Sequence, residues 1–284
     1  MKIKERLIFG CVALSSMESR AEAFRLLEEV VGSGIRHFDT ARSYGRGLSE
    51  KLLGEFFRVY GADVQVTTKA GAKYLKTHPV STWIALPVNH ILKSVKGGIK
   101  SVGHGRREAE VFRFEASKLK KSRSLQSQSL NLSVPPARIT REVVESSIDE
   151  SLKQLGRKRL DIFLLHEALS QQLTPEAWEF LVRAKKAGVI GKLGLGTNRE
   201  MLEERFREEP RVEVLQYEGS LMRELPLMEK FPGKMHIHHS LFRGVGRGGH
   251  REVLRRALEM NPEGKVVFST RSREHLRENL EGLG

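Results

Sequence analysis

Eight apolar runs of strand length recur along the chain, separated by stretches whose apolar residues follow helical spacing. That alternation is the signature of βα units around a parallel sheet. The expected strands are Leu7–Ala13, Arg36–Asp39, Val64–Lys69, Leu160–His166, Lys192–Gly196, Val212–Gln216, Met235–His239 and Lys265–Ser269. Between the first two, Arg20–Val31 sets Ala23, Phe24, Leu27, Val30 and Val31 on one stripe that would lie against the sheet, and Gly32 and Gly34 stop it. A repeated βα unit returns to the same rim after a similar number of residues. With Asp39, Lys69, His166, Gly196, Gln216, His239 and Ser269 as markers, the intervals are 30, 97, 30, 20, 23 and 30, so one is anomalous. Subtracting an insertion of roughly 60 residues leaves about 225 for eight units, near the lower end of the range for a closed (β/α)8 TIM barrel. An open doubly wound sheet is the alternative, but no Gly-x-Gly-x-x-Gly follows the first strand. The barrel, spanning 1–284, is the expected fold.

The extra segment, 74–137, falls in the loop after the third strand. From Leu86 to Arg138 it carries 11 Lys and Arg against Glu108, Glu110 and Glu115, which is +8 of the chain's net +14. Gly97-Gly98, a Ser and Gln tract at Ser122–Ser129 and Pro135-Pro136 make it a largely irregular segment, with a short helix expected near Glu108–Lys121. Following the third strand, it would spring from the rim where that strand ends. There it would act as a lid, recruit an anionic substrate or engage a polyanion or acidic membrane surface. Trp83, Phe112 and Phe114 are thin support for base stacking, so nucleic acid is not the expected partner.

The rest of the composition excludes more than it proposes. A single cysteine, Cys11, forbids an internal disulfide or a cysteine-rich zinc site and suits a reducing compartment, the cytoplasm by default. Lys2, Lys4 and Arg6 precede a short apolar run, but Glu5 interrupts them and no signal peptide is expected. No apolar stretch approaches the roughly 18 residues that span a bilayer, so any membrane contact would be peripheral. Oligomeric state leaves no sequence signature.

In a parallel barrel every strand delivers its last residue to one rim, where active sites of this fold are built. Asp39, Lys69 and His166 each finish an apolar run, and Tyr44 follows Asp39 by five residues. Such endings are costly unless the charges pair or serve a reaction. One reading is an Asp39–Lys69 ion pair closing the rim, with a core histidine and a packed tyrosine. The other is proton chemistry. An ammonium beside a phenol stabilises the phenolate and lowers its pKa, so Lys69 would activate Tyr44. Asp39 would orient the lysine, and a neutral His166 would donate to a carbonyl oxygen as it gains charge. Together these are the equipment for carbonyl reduction.

The sequence resembles the aldo-keto reductases at this point. The resemblance rests on Gly34-Ile35-Arg36-His37-Phe38-Asp39-Thr40-Ala41, Tyr44-Gly45, Ser49-Glu50-Lys51-Leu52-Leu53-Gly54 and Thr67-Thr68-Lys69. It continues in Ser147-Ile148-Asp149-Glu150-Ser151-Leu152, Leu160–His166 and Lys192–Asn198. It implies that Asp39, Tyr44, Lys69 and His166 form the family's catalytic tetrad, with Tyr44 as proton donor to a small-molecule aldehyde, ketone or sugar carbonyl. It also implies a nicotinamide cofactor, with Thr197, Asn198 and Gln216 at its carboxamide and His239, Ser240 and Arg243 near the ring and pyrophosphate. Ser269, Thr270, Arg271, Arg273, His275, Glu278 and Asn279 resemble the segment that holds the adenosine and its 2'-phosphate. The arginines favour NADP(H) over NAD(H). Two departures stand out: Ser269 replaces a frequent lysine and His275 a later arginine. No metal is expected at His236, His238 and His239, because strand alternation turns His239 to the other face and no acidic partner is adjacent. Members with regulatory roles keep open the alternative of a binding or regulatory protein on the same scaffold.

Overall fold

The computed structural model describes residues 3–61, 63–71, 138–219, 225–243, 245–246 and 249–283, so the insertion expected at 74–137 lies outside the described residues. Eight parallel strands close into a barrel in sequence order: β1 (Leu7–Gly10), β2 (His37–Asp39), β3 (Gln65–Ala70), β4 (Leu160–His166), β5 (Ile190–Gly196), β6 (Val214–Glu218), β7 (Met235–His239) and β8 (Lys265–Phe268). The helices described are α1 (Arg20–Gly32), α2 (Leu48–Tyr60), α3 (Arg141–Leu155), α4 (Pro175–Lys186), α5 (Arg199–Arg205), α6 (Leu225–Lys230), α7 (His250–Met260) and α8 (Arg273–Leu280). Every expected strand is present, with ends moved by a few residues. Strand β1 stops at Gly10 because the chain turns at Leu14–Ser16, although the Cys11 N–H still donates to the Asp39 carbonyl at 2.8 Å.

Local chemistry sets the helix ends. Ser19, Thr174, Asn198 and Ser272 each accept a backbone N–H of the first turn of the helix that follows, satisfying a donor with no intrahelical partner. Helix α3 ends as expected at Gly156, whose φ of 64° a glycine adopts without strain.

Strand alternation divides the apolar residues into two layers. Ile8, Ile162, Leu164, Val214, Ile237 and Val267 fill the barrel interior. Leu7, Phe9, Phe38, Val66, Phe163, Leu165, Leu193, Leu195, Leu215 and Phe268 face the helices, with Phe9 meeting Phe38 and Phe268 edge to face. Burial on both faces is what parallel strands require, and it explains why these runs read as continuously apolar. Helix α2 packs on α3 so closely that a methyl group at Gly54 would fall 2.0 Å from the Gln154 carbonyl oxygen.

The same alternation sets the polar residues on the strands. Counting by two from the interior layer brings Asp39, Lys69, His166, Gln216 and His239 inward at the C-terminal ends, and His37, Gln65 and Lys265 inward at the other. The polar bonds agree, since Gln216 reaches Asp39 across the barrel and Lys265 reaches His37.

Candidate active site

Lys69 is the hub of the rim. Its side chain is buried, and its ammonium donates to the Asp39 carboxylate through Oδ1, to the Thr40 carbonyl at 3.0 Å and to the Tyr44 hydroxyl at 3.3 Å. Gln216 donates to the other Asp39 oxygen at 2.6 Å. The imidazole of His166 meets the Tyr44 ring edge to face at 6.1 Å, and its Nδ1 lies 3.3 Å from Ser43 Oγ. All four residues that end or follow the early strands therefore converge at one mouth.

Strand β5 makes the room for the lysine. A methyl group at Gly196 would sit 3.3 Å from Lys69 Cδ, 3.4 Å from Leu164 Cδ1 and 3.5 Å from Gln216 Oε1. Tyr44 opens a tight turn, Tyr44–Gly47, in which Gly45, Arg46 and Gly47 all take positive φ before α2 begins. A non-glycine residue there is uncommon, and the turn swings the chain from the rim back onto the barrel wall.

The electrostatics depart from the sequence expectation in one respect. Lys69 was expected to lower the phenol pKa, yet Tyr44 is raised above its ordinary value, because burial outweighs the attraction of the ammonium and Asp39 adds to the rise. Lys69 itself is raised. Burial pushes the ammonium down, but the Asp39 carboxylate, Tyr44 and the hydrogen bonds to both more than compensate. His239 is held down to about 4, first by burial and then by the charge of Lys69, so it is neutral at physiological pH. Burial pushes the Cys11 thiol well up, which makes it an inert core group.

The residues expected to hold a cofactor lie in or after β5, β6, β7 and β8 along the chain, with varied partners. Thr197 donates to Met201 Sδ at 3.4 Å, and Asn198 uses Oδ1 to cap α5 through the Met201 N–H at 2.8 Å. His239 Nδ1 contacts Ser240 Oγ at 2.9 Å, and Ser240 takes a φ of 59°. Arg243 lies 3.4 Å from Glu218. In the C-terminal segment Thr270 Oγ1 accepts the Ser272 N–H, and Ser272 Oγ accepts that of His275. Ser269, Arg271 and Glu278 are exposed and Asn279 is buried. Arg273 lies 3.9 Å from Glu29 of α1, which Arg277 also engages. Gln216 and Arg273 thus have protein partners that the sequence did not reveal. His236 and His238 both contact the Tyr217 hydroxyl at 3.0 Å, behind the barrel wall.

Sequence reasoning missed Glu50. This α2 carboxylate is fully buried and takes hydrogen bonds from Arg42, Thr68 and Ser151. A signal existed, since Glu50 falls on the same helical stripe as Leu53 and Phe57, and an acid in phase with an apolar face demands partners.

A closed (β/α)8 barrel with its ionisable groups gathered at the C-terminal rim defines the class, a TIM barrel with a polar C-terminal mouth. The model of the aldo/keto reductase family matches residues 6–226, and the chain belongs to that family. Among curated proteins, it is 28% identical over 183 residues to D-threo-aldose 1-dehydrogenase of a Pseudomonas species, covering 62% of this chain and 44% of that protein. It is 27% identical over 204 residues to pyridoxal 4-dehydrogenase of Microbacterium luteolum, covering 66% and 50%. The chain thus spans half or less of the length of these two relatives. Among solved structures, an aldo-keto reductase from Bacillus halodurans superposes with a TM-score of 0.58 at 17% identity, over 97% of this chain and 85% of that one. One from Brucella melitensis superposes with a TM-score of 0.57 at 17% identity, over 97% and 88%. Such identities speak to the fold alone.

Proposed function

We propose that the chain is an NADPH-dependent oxidoreductase that reduces an aldehyde, ketone or sugar carbonyl to the alcohol, with Tyr44 as proton donor. The observation that carries this reading is the position of the Lys69 ammonium, held by Asp39 and the Thr40 carbonyl while 3.3 Å from the Tyr44 hydroxyl.

The residues present fit a nicotinamide dinucleotide. Asn198 caps α5 through its oxygen and keeps its amide N–H groups as donors. The Arg273 and Glu274 N–H groups that open α8 lie outside the helix's own bonding, beside Arg271, and suit a phosphate. Arg271, exposed just before α8, is the arginine we assign to the 2'-phosphate, with Arg273 3.9 Å from Glu29 as its neighbour. When bound, the reduced nicotinamide supplies the hydride.

The chain's own groups supply the proton. Burial keeps the Tyr44 phenol protonated at neutral pH, as a donor in the reducing direction must be. As the proton passes to the carbonyl oxygen, the Lys69 ammonium stabilises the phenolate left behind. Asp39 and Gln216 hold the lysine in line. His166, turned edge-on to Tyr44, donates to the same oxygen as it gains charge.

Replacing Tyr44 with Phe keeps the ring and removes the proton. NADPH oxidation driven by a panel of carbonyl compounds should fall by about 10²- to 10⁴-fold while NADPH binding, read by fluorescence, persists. Turnover unchanged in Tyr44→Phe would remove Tyr44 from the reaction.

A further inference from the structure

Glu50 belongs to neither the proton donor nor the cofactor segment, yet it is the most heavily bonded buried carboxylate of the described residues. Its Oε2 accepts from Arg42 Nη1 at 2.8 Å, and its Oε1 accepts from Thr68 Oγ1 at 2.6 Å and Ser151 Oγ at 2.7 Å. Arg42 precedes Tyr44 by two residues and Thr68 adjoins Lys69. The Arg42 backbone N–H donates to the Lys69 carbonyl at 3.1 Å. The neighbouring Ser49 contacts Thr40 Oγ1 at 2.9 Å and donates to the Cys11 carbonyl at 3.0 Å. One turn of α2 therefore grips both chain segments that bear the phenol and the ammonium.

We infer that Glu50 is a positioning residue that fixes the separation of the Tyr44 hydroxyl and the Lys69 ammonium. Resting on the reading of that pair as the proton-transfer couple, this names what sets its geometry. An apolar filling of the same volume would stabilise the barrel as well or better. It would lack the directional bonds that hold two segments to one point.

The test is Glu50→Gln, which keeps shape and removes the charge facing Arg42. Folding is checked by circular dichroism. The phenol is titrated by ultraviolet difference against Tyr44→Phe in the same background, without cofactor or substrate, and kcat and KM are measured separately. Since Lys69 draws the phenol pKa down, a loosened pair should titrate higher by about 0.5 to 1 unit. On a scale where 1 Å of misplacement costs on the order of 10²-fold, kcat should fall about 10- to 100-fold with KM within about two-fold. Glu50→Asp, with the charge but a shorter reach, should lie between. If Glu50→Gln does not fold, Thr68→Val removes one anchor, leaves the ion pair and should move the titration the same way. A folded Glu50→Gln, or failing that Thr68→Val, with the phenol titration and kcat unmoved overturns the inference. A moved titration in a chain whose parent reduces no carbonyl supports the role of Glu50 and refutes the proposed activity instead.

Discussion

Gly196→Ala should slow turnover without unfolding the chain, and the structure sets the size of the effect. The new methyl group would stand 3.3 Å from Lys69 Cδ, tighter than a relaxed carbon contact, with Leu164 Cδ1 and Gln216 Oε1 just beyond. Gly196 does not take positive φ, so alanine meets no backbone strain, and the loss of unfolded-state freedom stabilises by about 0.4–1 kcal/mol. Overpacking works against this by roughly 1–3 kcal/mol. The net destabilisation is then about 0–2.5 kcal/mol, which a folded domain tolerates. The lysine chain relieves the contact by moving a few tenths of an ångström, lengthening a 3.3 Å bond to Tyr44 that is already near its limit. If 1 Å costs on the order of 10²-fold, a 0.3 Å shift costs roughly four-fold in kcat. Gly194→Ala is the contrast, because its methyl group would lie 2.3 Å from the Val214 carbonyl oxygen, a backbone atom that cannot yield. That variant should fail to fold. The assay is carbonyl-dependent NADPH oxidation beside a thermal melt of each variant. Should Gly196→Ala turn over at the parent rate, or Gly194→Ala melt like the parent, the packing argument is wrong.

Two more outcomes follow from charge. His238 is buried and held down to about 3, mainly by burial, so it binds a proton on unfolding below its usual value near 6.5 and none in the fold until about 3. Its contribution is full above about pH 6.5 and declines as pH falls from there, by about 1.4 kcal/mol per unit. Denaturant unfolding of the chain and of His238→Asn between about pH 6.5 and 4.5 should show the shallower slope in the variant, and equal slopes would contradict the assignment. Arg271→Ala should weaken NADPH about ten-fold or more, from the loss of a charge-assisted bond, while leaving NADH within about two-fold. Parallel losses for both cofactors, read by fluorescence titration, would take Arg271 away from the 2'-phosphate.

The eight strands were legible because parallel strands buried on both faces must be continuously apolar, and as strand ends Asp39, Lys69 and His166 were expected at one rim. What stayed hidden was whatever depends on approach rather than pattern. The missing side chains of Gly194 and Gly196 make the space for β6 and for Lys69, a role no pattern in the sequence marks. The Asp39–Gln216 bond joins residues 177 apart in the chain. Glu50 lies in the first turn of a helix, where the dipole favours an acid whether or not it is buried, so its type alone does not reveal its partners. The direction of the Tyr44 shift was misread because a sequence lists charges but not burial, and burial is the larger influence here.

The barrel contains its own control for the role of Asp39. Among the described residues two lysines are buried inside the same cylinder, Lys69 at the C-terminal end and Lys265 at the other. Lys265 meets His37 Nδ1 at 3.1 Å and Gln65 Oε1 at 3.2 Å, with no carboxylate within ion-pair distance among the described residues. Burial lowers its pKa, and the more distant Glu5 and Asp161 fail to restore it. His37 beside it is pushed well below its usual value, by burial and then by the lysine's own charge. Lys69 is buried more deeply still, yet Asp39, with help from Tyr44, carries it above the ordinary lysine value. Asp39, the largest of the raising influences at Lys69, has no counterpart beside Lys265, and Gln216 braces it from across the barrel. Asp39 thus does more than orient a neighbour. It holds the ammonium against a burial that pulls its pKa down, and in the proposed reaction that charge is what the phenol needs beside it as its proton leaves.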